Sequence, residues 1–339
     1  MLARELAERQ QGGVSRYEKP EDLFIFSPQM VKELALMQFA HQVLSLSAPF
    51  RPALPSGQGG HPLVYSDASI LVTLLVMMVW QLSPEAMVKR LRRWPELAAA
   101  CGYEGGAIIS SSQLRRRRDN LGLCTYFVVF CALVWVLKTR GVIAGKDWVI
   151  DSTIIDAFSH KDSQAGWSFT KRLGYKVHLL MCRDSLLPIM VILSPANRND
   201  APWAIPLMGL AHRLFAFPVQ VVRADAAYFT RPILYFITAV LQASPKVVVN
   251  SRKAGKRFLV TMAWVYEFRR DKGKRGYIER LFAVLKRYFR LNQLQASGMQ
   301  RAYQHVFEVL IATLLVAWLA HHFDRPDLAH ARSRILAPC

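Results

Sequence analysis

Acidic residues are scarce in this chain: 339 residues carry 24 Asp and Glu against 44 Lys and Arg, a formal charge of +20. An imbalance of that size calls for a polyanionic partner, either nucleic acid or an anionic membrane surface. Cysteine is equally sparse. The five thiols (Cys101, Cys124, Cys131, Cys182 and Cys339) are odd in number and never form Cys-x-x-Cys, and the nine histidines are scattered. A disulfide scaffold and a structural zinc framework are both excluded, and the thiols read as reduced residues of a cytosolic protein. Gly-x-Gly-x-x-Gly and the phosphate-loop motif are missing too, so a nucleotide cofactor has no support. No secretory signal is expected, because residues 1–30 are polar and charged.

Hydrophobic residues make up 52% of the chain, yet no uncharged apolar run reaches the roughly 20 residues that cross a bilayer. The run at 70–82 is too short. The run at 121–137 is uncharged, with Arg115 to Arg118 before it and Lys138 and Arg140 after it, and the run at 306–320 contains Glu308. Buried helices of a large core, with no membrane partner, are the reading of these runs, and a basic multi-span membrane protein is the alternative.

Residues 1–65 open on a polar, helix-like stretch and pass into a connector rich in Pro and Gly (Ala48-Pro-Phe-Arg-Pro-Ala-Leu-Pro-Ser-Gly-Gln-Gly-Gly). Residues 66–145 read as an all-helical domain. Its helices are an apolar one at 68–82, one opened by Ser83-Pro84-Glu85, one opened by Ser110-Ser111-Ser112 with Ser112 as cap, and one at 123–139. The pattern then changes. Trp148 to Ile155 is β-rich, a polar loop fills 158–171, and strand-like runs follow at 175–182 and 187–194. After a helix at 200–214 come a strand at 219–225, a helix at 229–242 and a short strand at 246–249. Three strands able to pair as a meander, followed by alternating helix and strand, predict a mixed α/β sheet of five strands flanked by helices, not a Rossmann unit. That domain occupies 146–300, and 301–339 forms a closing helix and tail.

Three acids stand out. Asp151 lies between Val149-Ile150 and Ile154-Ile155, where a charge inside a central strand is costly without compensation. Asp225 ends another apolar strand. Glu279 borders the helical stripe Ile278, Leu281, Phe282, Leu285 and Phe289. Taken singly, each has an ordinary reading as cap, turn residue or surface ion pair. Together, two strand aspartates and a helical glutamate supply the hard oxygen ligands that Mg²⁺ or Mn²⁺ prefers.

Longer strings around these acids resemble the insertion-sequence transposases of the DDE class. Asp151-Ser152-Thr153 looks like the first-aspartate strand of that family, Gly174-Tyr-Lys-Val-His178 like the next strand, and Asn197-Arg-Asn-Asp200 like the loop that opens the following helix. Ala224-Asp225-Ala-Ala-Tyr228 is similar to the second-aspartate signature. Arg275, Glu279 and Lys286 keep the spacing that marks the third acid, although Lys272 stands where the family has Tyr. The resemblance covers about 146–295 specifically and 66–140 in type. It implies an RNase H-like catalytic domain that cuts transposon ends and joins the freed 3′-hydroxyls to target DNA. Two Mg²⁺ or Mn²⁺ ions would be held by Asp151, Asp225 and Glu279, with Asp151 bridging. It also implies double-stranded DNA as partner, a homodimer or larger assembly on it, and a cytoplasmic, nucleoid-associated location. A DNA-binding protein with an inactive catalytic domain is a further alternative, disfavoured because all three acids are present.

Basic residues complete the expected site. Residues 251–290 hold 13 Lys and Arg against three acids, half of the excess charge of the whole chain. Arg275 and Lys286 share a helix edge with Glu279 and are expected to hold DNA phosphates, unless they only solvate a surface. Arg269, Arg270, Lys272 and Lys274, interleaved with Phe258, Trp264, Tyr266 and Phe268, read as a backbone clamp or as core. Arg115, Arg116, Arg117 and Arg118 suggest the DNA-facing helix of a helix-turn-helix-like element, or a plain charge run. His178 reads as a packed strand histidine or a catalytic base.

Overall fold

The computed structural model describes residues 28–51, 65–103, 107–248 and 276–336. The chain divides into two compact units, Met1–Leu133 with Ile311–Cys339, and Val134–Leu310.

In the first unit the described elements are helices: α1 (Pro28–Ser47), α2 (Asp67–Trp80), α3 (Pro84–Arg93), α4 (Pro95–Ala100), α5 (Ser111–Asn120), the start of α6 (Gly122–Thr139), and a C-terminal part. Serine caps set the starts of three of them, because each hydroxyl takes an amide that has no partner within the helix. Ser66 accepts from Ser69, Ser83 from Ala86, and Ser110 from Gln113 in a reciprocal capping box. The cap of α5 is therefore Ser110, not Ser112, since only Ser110 stands three residues before a glutamine that can reach back. Helix α2 is buried nearly all round, from Ser69 to Val79, which is why its sequence shows no polar face. Phe39 of α1 stacks on Trp318 with ring centroids 4.3 Å apart.

The second unit is built on a mixed sheet of β1 (Asp147–Asp156), β2 (Gly166–Trp167), β3 (Leu173–Cys182), β4 (Leu187–Pro195), β5 (Val221–Ala224) and β6 (Ser244–Val247). Strands β4, β3 and β1 form an antiparallel meander, and β5 and β6 add to β1 in parallel. The sheet has six strands, one more than the pattern of apolar runs predicts. The addition, β2, is two residues of the polar loop that pair with Gly174 and Leu173. Gly174 lets β1 lie close to β3, because a Cβ there would come within 2.0 Å of the Ile155 carbonyl oxygen.

Trp148, Val149, Ile150, Tyr175, Leu179, Leu180, Ile189 and Met190 are buried in the sheet. Helix α7 (Ala201–Phe215) packs on β3 and β4, and α9 (Gly276–Tyr288) on β1. Between β5 and β6 the expected helix breaks into a short α8 (Arg231–Tyr235) and one wider turn, Phe236–Val240. At the start of β1 and β5, Asp147 is buried against Arg223. The Arg223 Nε donates to Oδ1 at 2.9 Å and Nη2 to Oδ2 at 3.0 Å, with Arg183 Nη1 3.3 Å from Oδ2.

Helix α10 (Met299–His322) and then α11 (Arg332–Ile335) close the chain. Helices α6 and α10 are long and apolar enough to cross a membrane by length and composition, with 44% and 89% of their apolar windows buried within the protein. The Glu308 carboxylate, inside α10, accepts from Gln304 Nε2 at 3.3 Å.

Candidate active site

Strand register decides where the aspartates go. β1 and β5 run parallel with Ile150 opposite Ala224, so Asp151 and Asp225 are the next residues on neighbouring strands, about 5 Å apart in backbone spacing. Both are half-buried. Backbone amides fix each carboxylate: the Ser152 amide donates to Asp151 Oδ1 at 2.8 Å, and the Ala226 amide to Asp225 Oδ1, where β5 gives way to a short 3₁₀ turn. The apolar run before each aspartate builds the strand, and the aspartate sits where the chain needs a local acceptor.

A third acid, Asp200, reaches the residue of β1 next to Asp151, on the other face of the strand. Asp200 opens α7 but does not cap it with its side chain. Its carboxylate turns to the sheet instead, where Ser152 Oγ donates to it at 2.7 Å, Lys176 Nζ lies 3.2 Å away and His178 Nδ1 3.5 Å away. The Tyr228 hydroxyl is buried beside this group. Burial first, then the charges of Asp200, Asp151 and Asp225, hold its pKa well above the usual phenol range, so it stays protonated. Asp200 and Tyr228 lie in strings that the sequence marks, but the approach of Asp200 to Ser152 and the burial of Tyr228 depend on contacts between elements far apart in the chain.

Glu279 sits on the exposed side of α9 next to buried Ile278. Two helical turns on, Lys286 Nζ donates to Thr153 Oγ1 at 2.6 Å. Thr153 shares a face of β1 with Asp151, two residues away. Burial and the nearby Arg172 guanidinium lower the Lys286 pKa, and Asp156 opposes them. Among the described residues no three His, Cys, Asp or Glu side chains form a ready metal cage. The donor chemistry nonetheless suits a hard divalent cation, because two carboxylate-bearing residues follow the last paired positions of two adjacent strands.

His178 is a packed histidine. Its ring stacks on Trp203 at 5.6 Å, and its Nε2 lies 2.9 Å from Ser194 Oγ. Burial drives its pKa down to about 4 against the opposing pull of Asp200, so it is neutral near pH 7.

In the first unit, two of the four consecutive arginines of α5 spend their charge on neighbouring helices: Arg115 pairs with Glu85 and Arg117 with Asp67. Arg116 is exposed, and Arg118 is half-buried. Arg269, Arg270, Lys272, Lys274 and Arg275 lie outside the described residues.

Residues 147–315 match the family described as Transposase DDE domain, so that stretch is a transposase domain. No curated protein matches the chain. A solved structure, the cryo-EM structure of piggyBac transposase synaptic complex with hairpin DNA, is similar at 9% identity and a TM-score of 0.41. That similarity covers 94% of this chain and 82% of that one, and is too distant to bear on the site.

Proposed function

With residues 147–315 a transposase DDE domain as the premise, we propose that the protein is a DNA transposase that cuts the ends of a DNA segment and joins them to target DNA. The observation that carries the reading is the parallel register of β1 and β5, which stations Asp151 and Asp225 side by side. The meander followed by helix-strand alternation supports an RNase H-like domain over 146–300. The helices of 66–145 are assigned to DNA binding.

Asp151, Asp225 and Glu279 would hold two Mg²⁺ or Mn²⁺ ions. Bound ions supply activation of the attacking oxygen and neutralisation of the leaving one in an in-line displacement. The protein's own groups prepare that place. The Ser152 and Ala226 amides orient the two aspartates, and Asp200 holds Ser152 beside them. Lys286 and Arg275 are assigned to DNA phosphates, with Arg269, Arg270, Lys272 and Lys274 extending that contact along the backbone. Arg116 is the assigned phosphate contact on α5, because Arg115 and Arg117 are engaged with acids. A homodimer or larger assembly on paired ends, in the cytoplasm with the nucleoid, completes the proposal.

The membrane alternative rests on α6, whose apolar window is less than half buried. Recovery of folded protein from lysate without detergent would remove it.

The direct test is Asp151→Asn, which keeps the shape and removes one charge. Cleavage and joining of end DNA should disappear while DNA binding persists or strengthens, and wild type should work with Mg²⁺ or Mn²⁺ and fail with Ca²⁺. Strand transfer by folded Asp151→Asn protein near the wild-type rate would overturn the proposal.

A further inference from the structure

Folded proteins keep large aromatic side chains in contact with something, and a cluster left in water marks an interaction surface. The segment between β1 and β3 exposes three. Phe158 and Trp167 are each 59% exposed and Phe169 fully so. Trp167, at the end of β2, and Phe169, in the turn that follows, stand on either side of buried Ser168.

This segment is tied down at many points. The Asp162 carboxylate accepts from the Tyr175 hydroxyl at 2.8 Å and from the Gly298 amide at 2.9 Å, and Gln164 Oε1 accepts from the Met299 amide at 2.6 Å. At the tip, the Ser168 amide donates to the Arg172 carbonyl at 2.8 Å, and the Arg172 amide donates to Ser168 Oγ at 3.0 Å. Asp156 binds the Arg172 guanidinium through two bonds of 2.8 Å. A stiff hairpin holding exposed rings loses little conformational freedom when they are covered.

The charges around the rings select the partner. Both acids of the segment are engaged, Asp156 with Arg172 and Asp162 with Tyr175 and Gly298. The lysines Lys161 and Lys171 are exposed. Flat apolar rings with lysines beside them match a ligand that offers π-faces along an anionic backbone, as unpaired nucleotides do. The position fits as well. Asp151 and Asp156 are five residues apart on β1, about 16 Å, close to the length of five stacked nucleotides, and Asp156 pairs with Gly174, which in turn pairs with Gly166 beside Trp167.

We propose that Trp167 and Phe169, with Phe158 at the base of the hairpin, form a stacking platform for unpaired bases of the DNA strand that leaves the acids at Asp151 and Asp225. The platform rests on the DNA reading above and adds to it a preference for unpaired bases near the cut.

The test compares two labelled DNAs bound by the full-length protein in EDTA, one a blunt duplex and the other the same duplex with a five-nucleotide unpaired flap. Wild type should favour the flapped DNA. The double substitution Trp167→Ala with Phe169→Ala should weaken flap binding about tenfold for each ring while changing blunt-duplex binding less than about twofold. Trp167→Phe with Phe169→Tyr should restore it. Equal losses on both DNAs, or none, would overturn the platform. So would a change in oligomeric state without DNA, which would make the rings a contact between copies of the chain. If wild type binds neither DNA, the transposase reading fails with the platform. If it cleaves DNA but shows no flap preference, the platform alone fails.

Discussion

The two ends of the β1–β5 strand pair treat their acids in opposite ways. At the start, Asp147 is buried and met by Arg223 and Arg183, so each charge has its counterpart within the fold. At the other end, the charges of Asp200, Asp151 and Asp225 all push up the pKa of the buried Tyr228 hydroxyl, and the donors to the two strand aspartates include backbone amides. Paired burial makes a structural joint that fails when one partner is removed. Acids of like sign drawn together raise the energy of the folded chain unless a cation is supplied, which is how binding sites differ from scaffolding.

This contrast is sharpened first by activity at the acid end. Asp225→Asn should cost at least about a hundredfold in DNA cleavage, since the transition-state charge it would help neutralise is worth several kcal/mol. The same variant should be no less stable than wild type by urea unfolding. A large stability loss in Asp225→Asn would break the comparison by making this acid structural.

At the paired end the expectation reverses. Arg223→Met leaves the buried Asp147 with the longer 3.3 Å contact to Arg183 and should lower unfolding free energy by about 3 kcal/mol. Adding Asp147→Leu should recover much of that loss, because the uncompensated charge is gone. A double variant as unstable as the single one would show that the arginine acts through packing and not through charge.

The last effect concerns His178, which lies opposite Ser152 at the acid end. Its folded pKa, about 4, is below the usual histidine value near 6.5, so the unfolded chain binds the extra proton first. Its contribution is fully present above about pH 6.5 and is lost as pH falls towards 4, about 3 kcal/mol in all. Unfolding of His178→Phe against wild type across that range should show a shallower slope for the variant. Parallel slopes would mean that Asp200 shares its charge with His178 more fully than the 3.5 Å separation suggests.

Most strands and helices were legible because their runs carry strong local signals. Ser83-Pro84 and the serines at 110–112 mark helix starts, although they do not say which serine is the cap of the second, and strand-like runs mark β3 and β4. Signals failed where a contact far away in sequence decides. Gly166-Trp167 has no strand pattern and becomes β2 only by pairing with Gly174 and Leu173 of β3. Asp200 looks like a helix cap, yet its carboxylate faces Ser152 and Lys176, on strands that local patterning cannot bring to it. The rings of Trp167 and Phe169 have the composition of core residues, and only the fold of the hairpin leaves them outside.

The sequence by itself determined the charge excess, the order of strands and helices, and the residue types at Asp151, Asp225 and Glu279, since composition and periodicity are local properties of the chain. Tertiary structure alone decided that Ile150 lies opposite Ala224, which brings two acids 74 residues apart in sequence to neighbouring positions. It also decided that Asp147 meets arginines while Asp200, at the start of a helix, reaches Ser152 and Lys176. Strand pairing and side-chain convergence depend on which distant surfaces bury each other, and the energy of that choice is spread over the whole core instead of residing in any one stretch of residues.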